Sequence, residues 1–429
     1  MTTPAEGATR RDVLRTTLAA SAAGLMGPFV HARPAKKVLK AALVGCGGRG
    51  NGAISDIIQA GQHLGTVEVK VVALADAYKD RVDNVQKMLA KMGQDVPAAQ
   101  CFTGFDGYKK ACASDADVVL MATAPAFRPL HFAAAVAAGK HVFIEKPVAV
   151  DAPGCRKMYE IGRQAEEKKL SVVAGTCLRH AAGYAATRKV VAEDKAIGAI
   201  RGGAIWYLTG QLWRRARAAG MSDAEYLVRN WVNFTCMSGD HIVEQYIHTL
   251  DNLMWHMNAL PVAAVALGGR SRRQTGDQYD FFSVDYEFPG NVHIHGMCRQ
   301  VNGCLNKANV GEIWGEKGFC SFGGGGFVAD ASGAKMPLPK FQWNPNMYVQ
   351  EHAVLLDSIL NGKAVNHTKD VTDSTLATVM SRVSAYTGQR VTWEQLMKSN
   401  DACSPAAADF EGGEVKAPPD DVIAIPGKA

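Results

Sequence analysis

The stretch that most restricts what this chain can fold into lies between residues 40 and 60. A short apolar run, Ala41 to Val44, leads into Gly45-Cys46-Gly47-Gly48-Arg49-Gly50, and a helical pattern follows. A strand that ends in a glycine-rich turn and restarts as a helix is the opening unit of a parallel, doubly wound sheet. Gly45 permits the tight turn, Gly47 lets backbone N–H groups approach a pyrophosphate, and Gly50 lets helix pack closely on strand. Gly48 and Arg49 belong to the same turn, and the helix N-terminus adds a partial positive charge facing the phosphates. A GxGxxG can arise by accident in a chain with 43 glycines, so the context decides. A second apolar run, Val69 to Ala75, ends at Asp76, placed to accept hydrogen bonds from a ribose 2′-hydroxyl and to repel a 2′-phosphate. The cofactor expected here is therefore NAD. NADP is the disfavoured alternative, which Lys79 and Arg81 would help to accommodate.

The alternation continues. Val118 to Met121 reads as a buried strand, followed by Thr123-Ala124-Pro125 and a helix from Leu130 to Ala138. His141 to Ile144 is the next strand, ending in Glu145-Lys146-Pro147, and Val172 to Gly175 follows another helix. Residues 38–178 are thus expected to form a Rossmann domain, whose ligands bind beyond the carboxyl ends of the strands, where Lys146 sits.

After about residue 180 the pattern changes. Residues 200–209, Phe282 to Phe288 and Val292 to Cys298 alternate apolar with polar, and Pro289-Gly290-Asn291 supplies a hairpin turn. Val310 to Trp314 and Gly318 to Phe322 read as further strands. Residues 179–400 are expected to form an α+β domain with a mainly antiparallel, open sheet, and such a face often joins subunits. One long helix is expected from His241 to Asn258, with an apolar stripe Val243, Ile247, Leu250, Met254 and Met257. Beside it runs a second stripe, Glu244, His248, Asp251 and Trp255, whose two acids and histidine are hard to explain as plain core. The helix Glu351 to Asn361 and the segment Asp370 to Gly388 are expected to return onto the first domain. Residues 401–429 read as an extended strap.

Composition narrows the function classes. The 429 residues are 47% apolar and 21% charged, which fits a folded chain and neither a disordered one nor a multi-span membrane protein. A net charge of +6 without a dense basic block gives no support to a nucleic-acid partner. The ten cysteines are scattered, with no CxxC and no zinc spacing, and read as buried thiols. His293 and His295 share a strand face but bring no third ligand, so no metal site is expected. The N-terminus carries Arg10-Arg11, then an uncharged run from Thr16 to Val30 and the small-residue site Val30-His31-Ala32. Residues 1–32 resemble a twin-arginine export signal, which implies a periplasmic or otherwise exported protein with no membrane span in the mature chain. That route carries folded proteins, so it also implies a cofactor inserted beforehand and tightly bound.

Together these residues resemble the Gfo/Idh/MocA family of sugar oxidoreductases. The matching segments are Gly45 to Gly50, Asp76, residues 122–131, residues 139–150 and residues 238–251. The resemblance implies a Rossmann domain followed by an α+β domain, a dimer or tetramer built through the open sheet face, and a sugar, cyclitol or sugar derivative as substrate. It assigns Gly45, Gly47, Gly48, Arg49, Gly50, Asp76, Thr123, Ala124, Pro125, Glu145 and Lys146 to the cofactor. It points Lys146 at the nicotinamide and the substrate, and makes His248 the acid/base on the reacting hydroxyl. The family helix usually carries Asp-x-x-x-His, whereas this chain has Glu244-x-x-x-His248, one methylene longer. Asp251 also matches the pattern, as an orienting residue.

These residue types suit the chemistry. A hydride leaves a carbinol carbon only if the hydroxyl proton leaves too; a histidine can take that proton and a lysine ammonium can hold the oxygen. Lys146, His248 and Glu244 are therefore the catalytic candidates, with Arg179, Asp251 and Tyr348 added on the substrate side. His180, Tyr207, Trp213 and Trp231 are candidates for stacking in a sugar pocket. Two other readings stay open: a glycoside hydrolase or lyase that oxidises its sugar transiently with a retained NAD, and a non-catalytic sugar-binding protein.

Overall fold

The computed structural model describes residues 36–304, 308–323, 325–420 and 422–427. Residues 1–35, which carry the export-signal expectation, lie outside the described residues. From Val38 onward the chain forms one compact unit.

Six strands, β1 (Lys37–Val44), β2 (Val67–Asp76), β3 (Cys101–Thr103), β4 (Val118–Met121), β5 (His141–Ile144) and β6 (Val172–Ala174), form a parallel sheet in the order β3-β2-β1-β4-β5-β6. Both faces are covered, which is why these strands read as near-continuous apolar runs. Ala42, Val44, Val119 and Met121 face one core; Ala41, Leu43, Val118 and Leu120, one residue out of phase, face the other. The second core is closed by α1 (Gly48–Leu64) and α2 (Lys79–Lys91), and the first by α3 (Gly107–Ala113), α4 (Arg128–Ala137) and α5 (Ala152–Glu167). Strand order reverses between β1 and β4, so the crevice for a ligand opens beyond Val44 and Met121.

The second sheet has eight strands: β7 (Ile200–Thr209), β8 (Ala263–Gly269), β9 (Phe281–Phe288), β10 (Val292–Gln300), β11 (Ala308–Gly315), β12 (Gly318–Phe322), β13 (Phe327–Asp330) and β14 (Val391–Thr392). Their order is β13-β12-β11-β7-β10-β9-β8-β14, and every pair is antiparallel except β7 with β10. A long excursion between those two strands allows the parallel pairing. The inner face buries Ile205, Val284, Tyr286, Ile294 and Phe322. The outer face leaves Val265, Leu267, Phe281, Met297 and Trp314 exposed, with Leu267 at 72%.

Helices α6 (Asp223–Arg229), α7 (His241–Glu244), α8 (Ile247–Met257), α9 (Met347–Leu360) and α10 (Thr368–Thr387) complete the parts that shape the site. Both late helices return to the first sheet: α9 packs on α1, and α10 lies between α5 and β8. α10 is buried nearly all round despite its many hydroxyls. Those hydroxyls bond the preceding turn: Thr372 donates to Thr368 O at 2.6 Å, Thr375 to Val371 O at 2.7 Å and Ser381 to Ala377 O at 3.0 Å. The tail is not extended throughout, since Ala407–Gly412 is a short helix. All ten cysteines are free thiols. Among the described residues no helix is long and apolar enough to cross a membrane.

The expected single helix from His241 to Asn258 is two helices, α7 and α8, broken at Gln245-Tyr246. At the break the His248 N–H bonds Gln245 O instead of Glu244 O, and the Lys146 ammonium takes the freed carbonyl at 2.7 Å. A charge-assisted bond thus replaces a helical one at the point where the two parts of the chain meet.

Candidate active site

The glycine turn is shaped as its spacing requires. Gly45 has φ +98°, and a Cβ there would lie 2.6 Å from the Ala122 carbonyl carbon; a Cβ at Gly50 would lie 1.9 Å from Gly45 O. Those two glycines let β1, β4 and α1 touch. Gly47 and Gly48 face open space, and α1 begins with no side-chain cap and no acid in its first turn. Uncapped N–H groups beside an open space are what a phosphate needs, so the residues present fit a dinucleotide. Gly50→Ala is expected to cost about 3 kcal/mol by overpacking, read as a lower urea midpoint, with nucleotide affinity lost as well.

A cavity of about 430 Å³ extends from this turn, lined by Gly45, Gly47, Gly48, Arg49, Asp76, Thr123 and Ala124 among others. Asp76 accepts from the Cys46 N–H at 2.8 Å and the Tyr78 N–H at 3.0 Å, which hold its carboxylate at the end of β2. Burial raises its pKa and the two N–H bonds oppose the rise. Thr123 pairs with the His131 ring at 3.1 Å, and burial depresses His131 to about 3, so that ring is neutral. Pro125 is buried and starts the turn into α4, outside the cavity wall.

Arg49, about a third exposed, pairs with the buried Glu145. Arg49 Nε lies 3.0 Å from Glu145, a second nitrogen bonds Asp56, and the guanidinium sits 4.9 Å over the Tyr348 ring. Burial lowers the Arg49 pKa, but its carboxylate neighbours outweigh that and raise it overall. Glu145 lies beneath the cavity wall, packed so closely on Gly175 that a Cβ there would meet it at 2.6 Å. Tyr348 also reaches Cys177, and it stands beside Arg49.

Lys146 follows β5 and points at the break between α7 and α8. Its ammonium donates to Glu244 O and, at 3.1 Å, to Glu244 Oε1, with both side chains about nine-tenths buried. The extra methylene of Glu244 is thus used to bring its carboxylate back to the lysine. His248 stacks 6.5 Å from the Tyr207 ring at 22°. Burial first, and the Lys146 charge second, hold its pKa well below the ordinary histidine value. His248 is therefore neutral at neutral pH and able to accept a proton.

Arg179 and Asp251 come together elsewhere. Arg179 donates to both Asp251 oxygens at 2.9 and 2.8 Å and to Asp370 at 2.9 Å, while Ser374 bonds Asp251 at 2.6 Å. The stripe Glu244-His248-Asp251 is therefore divided, with Glu244 on Lys146 and Asp251 on Arg179. His180 is buried, and burial depresses it to about 3. Trp213 and Trp231, read as candidates for a sugar pocket, line the cavity that extends from the glycine turn. The spacing near the motifs did not mark Phe105, Phe127, Arg215 or Arg229, which also line it. They reach the cavity from loops and from α6, where no periodic signal points at a ligand.

Residues 39–174 match the model of the oxidoreductase family with an NAD-binding Rossmann fold, Gfo/Idh/MocA. An inositol 2-dehydrogenase of Klebsiella pneumoniae (strain 342) is 31% identical over 188 residues, 44% of this chain and 47% of that protein. A glycosyl hydrolase family 109 protein of Bacteroides thetaiotaomicron is 32% identical over 151 residues, 34% of this chain and 27% of that protein. The chain spans about half the length, or less, of these curated relatives. Among solved structures, a levoglucosan dehydrogenase in complex with NADH and levoglucosan superposes with a TM-score of 0.65 at 18% identity, covering 83% of this chain and 99% of that one. At that identity the likeness shows the fold alone, a parallel Rossmann-like sheet followed by a mixed second sheet.

Proposed function

We propose that this Gfo/Idh/MocA chain is an NAD-dependent oxidoreductase acting on a CH–OH group of a sugar, cyclitol or sugar derivative. The observation that best supports the reading is Lys146, just past the carboxyl end of β5, bonded to Glu244 O and with its charge acting on a neutral His248, in a chain whose glycine turn is open for a dinucleotide. Relatives named as inositol 2-dehydrogenases and a fold neighbour holding NADH and levoglucosan support the cofactor and substrate class. When bound, the nicotinamide supplies the carbon that takes or returns hydride.

The chain's own residues do the rest. The Lys146 ammonium, oriented by Glu244, holds the substrate oxygen and stabilises negative charge developing on it. His248 takes the hydroxyl proton onto its ring nitrogen in the oxidising direction and returns it in the other. Arg179 and Asp251, bonded to each other, and Tyr348, beside Arg49, remain the substrate-side candidates of this reading. Replacing His248 by asparagine should lower kcat about 100-fold or more while leaving NADH affinity unchanged. The assay is NADH formation on a panel of inositols and pyranosides; an unimpaired His248→Asn enzyme would sink the assignment.

Asp76 sets the cofactor preference. Asp76→Asn keeps an acceptor but removes the charge, so NAD affinity should fall about tenfold while NADP affinity rises, as read by paired titrations. Equal loss for both nucleotides would contradict that role.

Glycosyl hydrolase family 109 relatives favour a second reading, transient oxidation and re-reduction at the same Lys146 and His248 with a retained cofactor. Free sugar released from a glycoside with no net NADH would establish it over the first. Either cycle suits an exported protein with a tightly held cofactor, and the open face bearing Leu267, Met297 and Trp314 suits a homo-dimer or homo-tetramer. Residues 38–178 and 179–400 would serve as the cofactor and substrate domains.

A further inference from the structure

We propose that the second half of the chain supplies the outer wall of the adenosine subsite: Trp213, Trp231 and Arg215 receive the adenine-ribose end of the dinucleotide, and Arg229 latches that wall to the first half. The inference rests on the dinucleotide reading above and adds to it a set of binding residues outside the Rossmann sheet.

The cavity has two sides of different origin. One side is the glycine turn, Asp76 and Thr123; the facing side is Trp213, Arg215, Arg229 and Trp231. Lys146 and His248 do not line this cavity, whereas Asp76, at the ribose position, does. The facing wall therefore meets the adenosine end and not the nicotinamide.

Its chemistry suits a purine nucleotide. Trp213 is 45% exposed and packs edge to face with Trp231, with ring centroids 6.4 Å apart at 71°, so much of the Trp213 indole is left open for a ligand. The Arg215 guanidinium lies 5.8 Å from the Trp213 ring and makes no ion pair among the described residues. Partial burial, with Arg81 and Arg229 close by, depresses its pKa from the usual arginine value. Guanidinium groups converging beside a half-exposed aromatic ring are favourable for a base and its phosphate.

The wall is fastened where the ribose would sit. Arg229 donates to both oxygens of Asp80 at 2.9 and 3.0 Å, bonds Glu225 at 2.7 Å, and lies 4.4 Å over the Tyr78 ring. Tyr78 and Asp80 follow Asp76 directly, so this bidentate pair joins α6 to the strand end that holds the ribose acid. The tail adds a second fastening: Phe410 packs on Phe105 and Phe127, both in the cavity wall, and Asp420 accepts from Tyr226 at 3.0 Å. By holding this wall against the first half of the chain, the latch slows release of a nucleotide from the cavity.

The test compares three ligands on the full chain by equilibrium titration: NADH, ADP-ribose, and reduced nicotinamide mononucleotide, which lacks the adenosine. Trp213→Ala and Arg229→Gln should each weaken NADH and ADP-ribose about tenfold or more and leave the mononucleotide unchanged. Trp213→Phe should restore most of the affinity, and Arg229→Gln should speed NADH release in stopped flow. Wild-type affinity for ADP-ribose in both alanine and glutamine variants would overturn the inference, as would equal weakening of ADP-ribose and the mononucleotide. A wild-type chain that binds neither NADH nor ADP-ribose would overturn the dinucleotide reading itself, and the inference with it.

Discussion

Replacing Lys146 by methionine is expected to lower kcat about a thousandfold while NADH binds with near wild-type affinity. The ammonium is held by the Glu244 carbonyl and carboxylate at the end of β5, and the methionine keeps the length of the stem but cannot donate to a substrate oxygen. The substitution has a second, diagnostic effect. The Lys146 charge is one of two causes holding His248 below the ordinary histidine pKa of 6.5. In the wild type the acid limb of kcat/KM should therefore fall below that value, because the ring stays neutral as pH is lowered past it. With the charge gone, the residual activity of Lys146→Met should lose its acid limb at higher pH, nearer the ordinary value. A variant with full turnover, or with a limb displaced to lower pH, contradicts the assignment. Glu244→Gln tests the same contact more gently, since the freed lysine keeps its charge and its carbonyl partner.

Acid should unfold this chain earlier than carboxylate protonation alone would. Burial holds His131 and His180 at about 3 and His256 at about 4, and depresses His352 and His367 as well. The His256 ring is enclosed between Asn252 O and the Thr187 hydroxyl, so one nitrogen donates and the other accepts. Such a folded pKa, below the unfolded value of 6.5, means that the unfolded chain binds more protons as pH falls. The stability from a buried neutral histidine is complete above 6.5 and is lost progressively down to the folded pKa. At pH 5, roughly 2 kcal/mol is lost for each of His131, His180 and His256. Glu351 acts in the opposite sense: burial, and then the neighbouring Glu145, raise its pKa well above 4.5, so its contribution grows as pH falls. The loss from the histidines is a large part of the roughly 5–15 kcal/mol that holds a domain together. The urea midpoint should drop steeply between pH 6.5 and 4.5, and His256→Gln should flatten part of that drop. A midpoint independent of pH over the same range would contradict the buried neutral histidines.

The parallel sheet was legible in the sequence because its strands are buried on both faces and each is followed by a turn and a helix. The glycine positions were legible for a related reason: Gly45 and Gly50 sit where backbone from β4 and β1 leaves no room for a Cβ. The break at Gln245-Tyr246 was hidden, since the apolar stripe from Val243 to Met257 keeps its helical spacing across it. What ends α7 there is a lysine from another part of the chain, and no local pattern records that partner. Helix α10 was visible only as a segment, because a helix buried all round shows no amphipathic stripe. The wall from Trp213 to Trp231 was legible as stacking residues but not as part of the cavity beside the glycine turn, for the same kind of reason. Its residue types announce stacking, but which ligand they face depends on Arg229 reaching Asp80 across the chain. Likewise the division of Glu244 from Asp251 depends on Arg179, far away in sequence.

The central claim is that this chain binds a nicotinamide dinucleotide on its glycine turn and works on it with Lys146 and His248. The most direct measurement is to denature the purified protein after saturation with NADH and desalting, and to identify and count the released nucleotide by mass spectrometry. The account predicts one nicotinamide dinucleotide per chain in the wild type, the same stoichiometry in Lys146→Met, and little in Gly50→Ala. A wild-type protein that releases none, and takes up neither NAD(H) nor NADP(H) in solution, would contradict it.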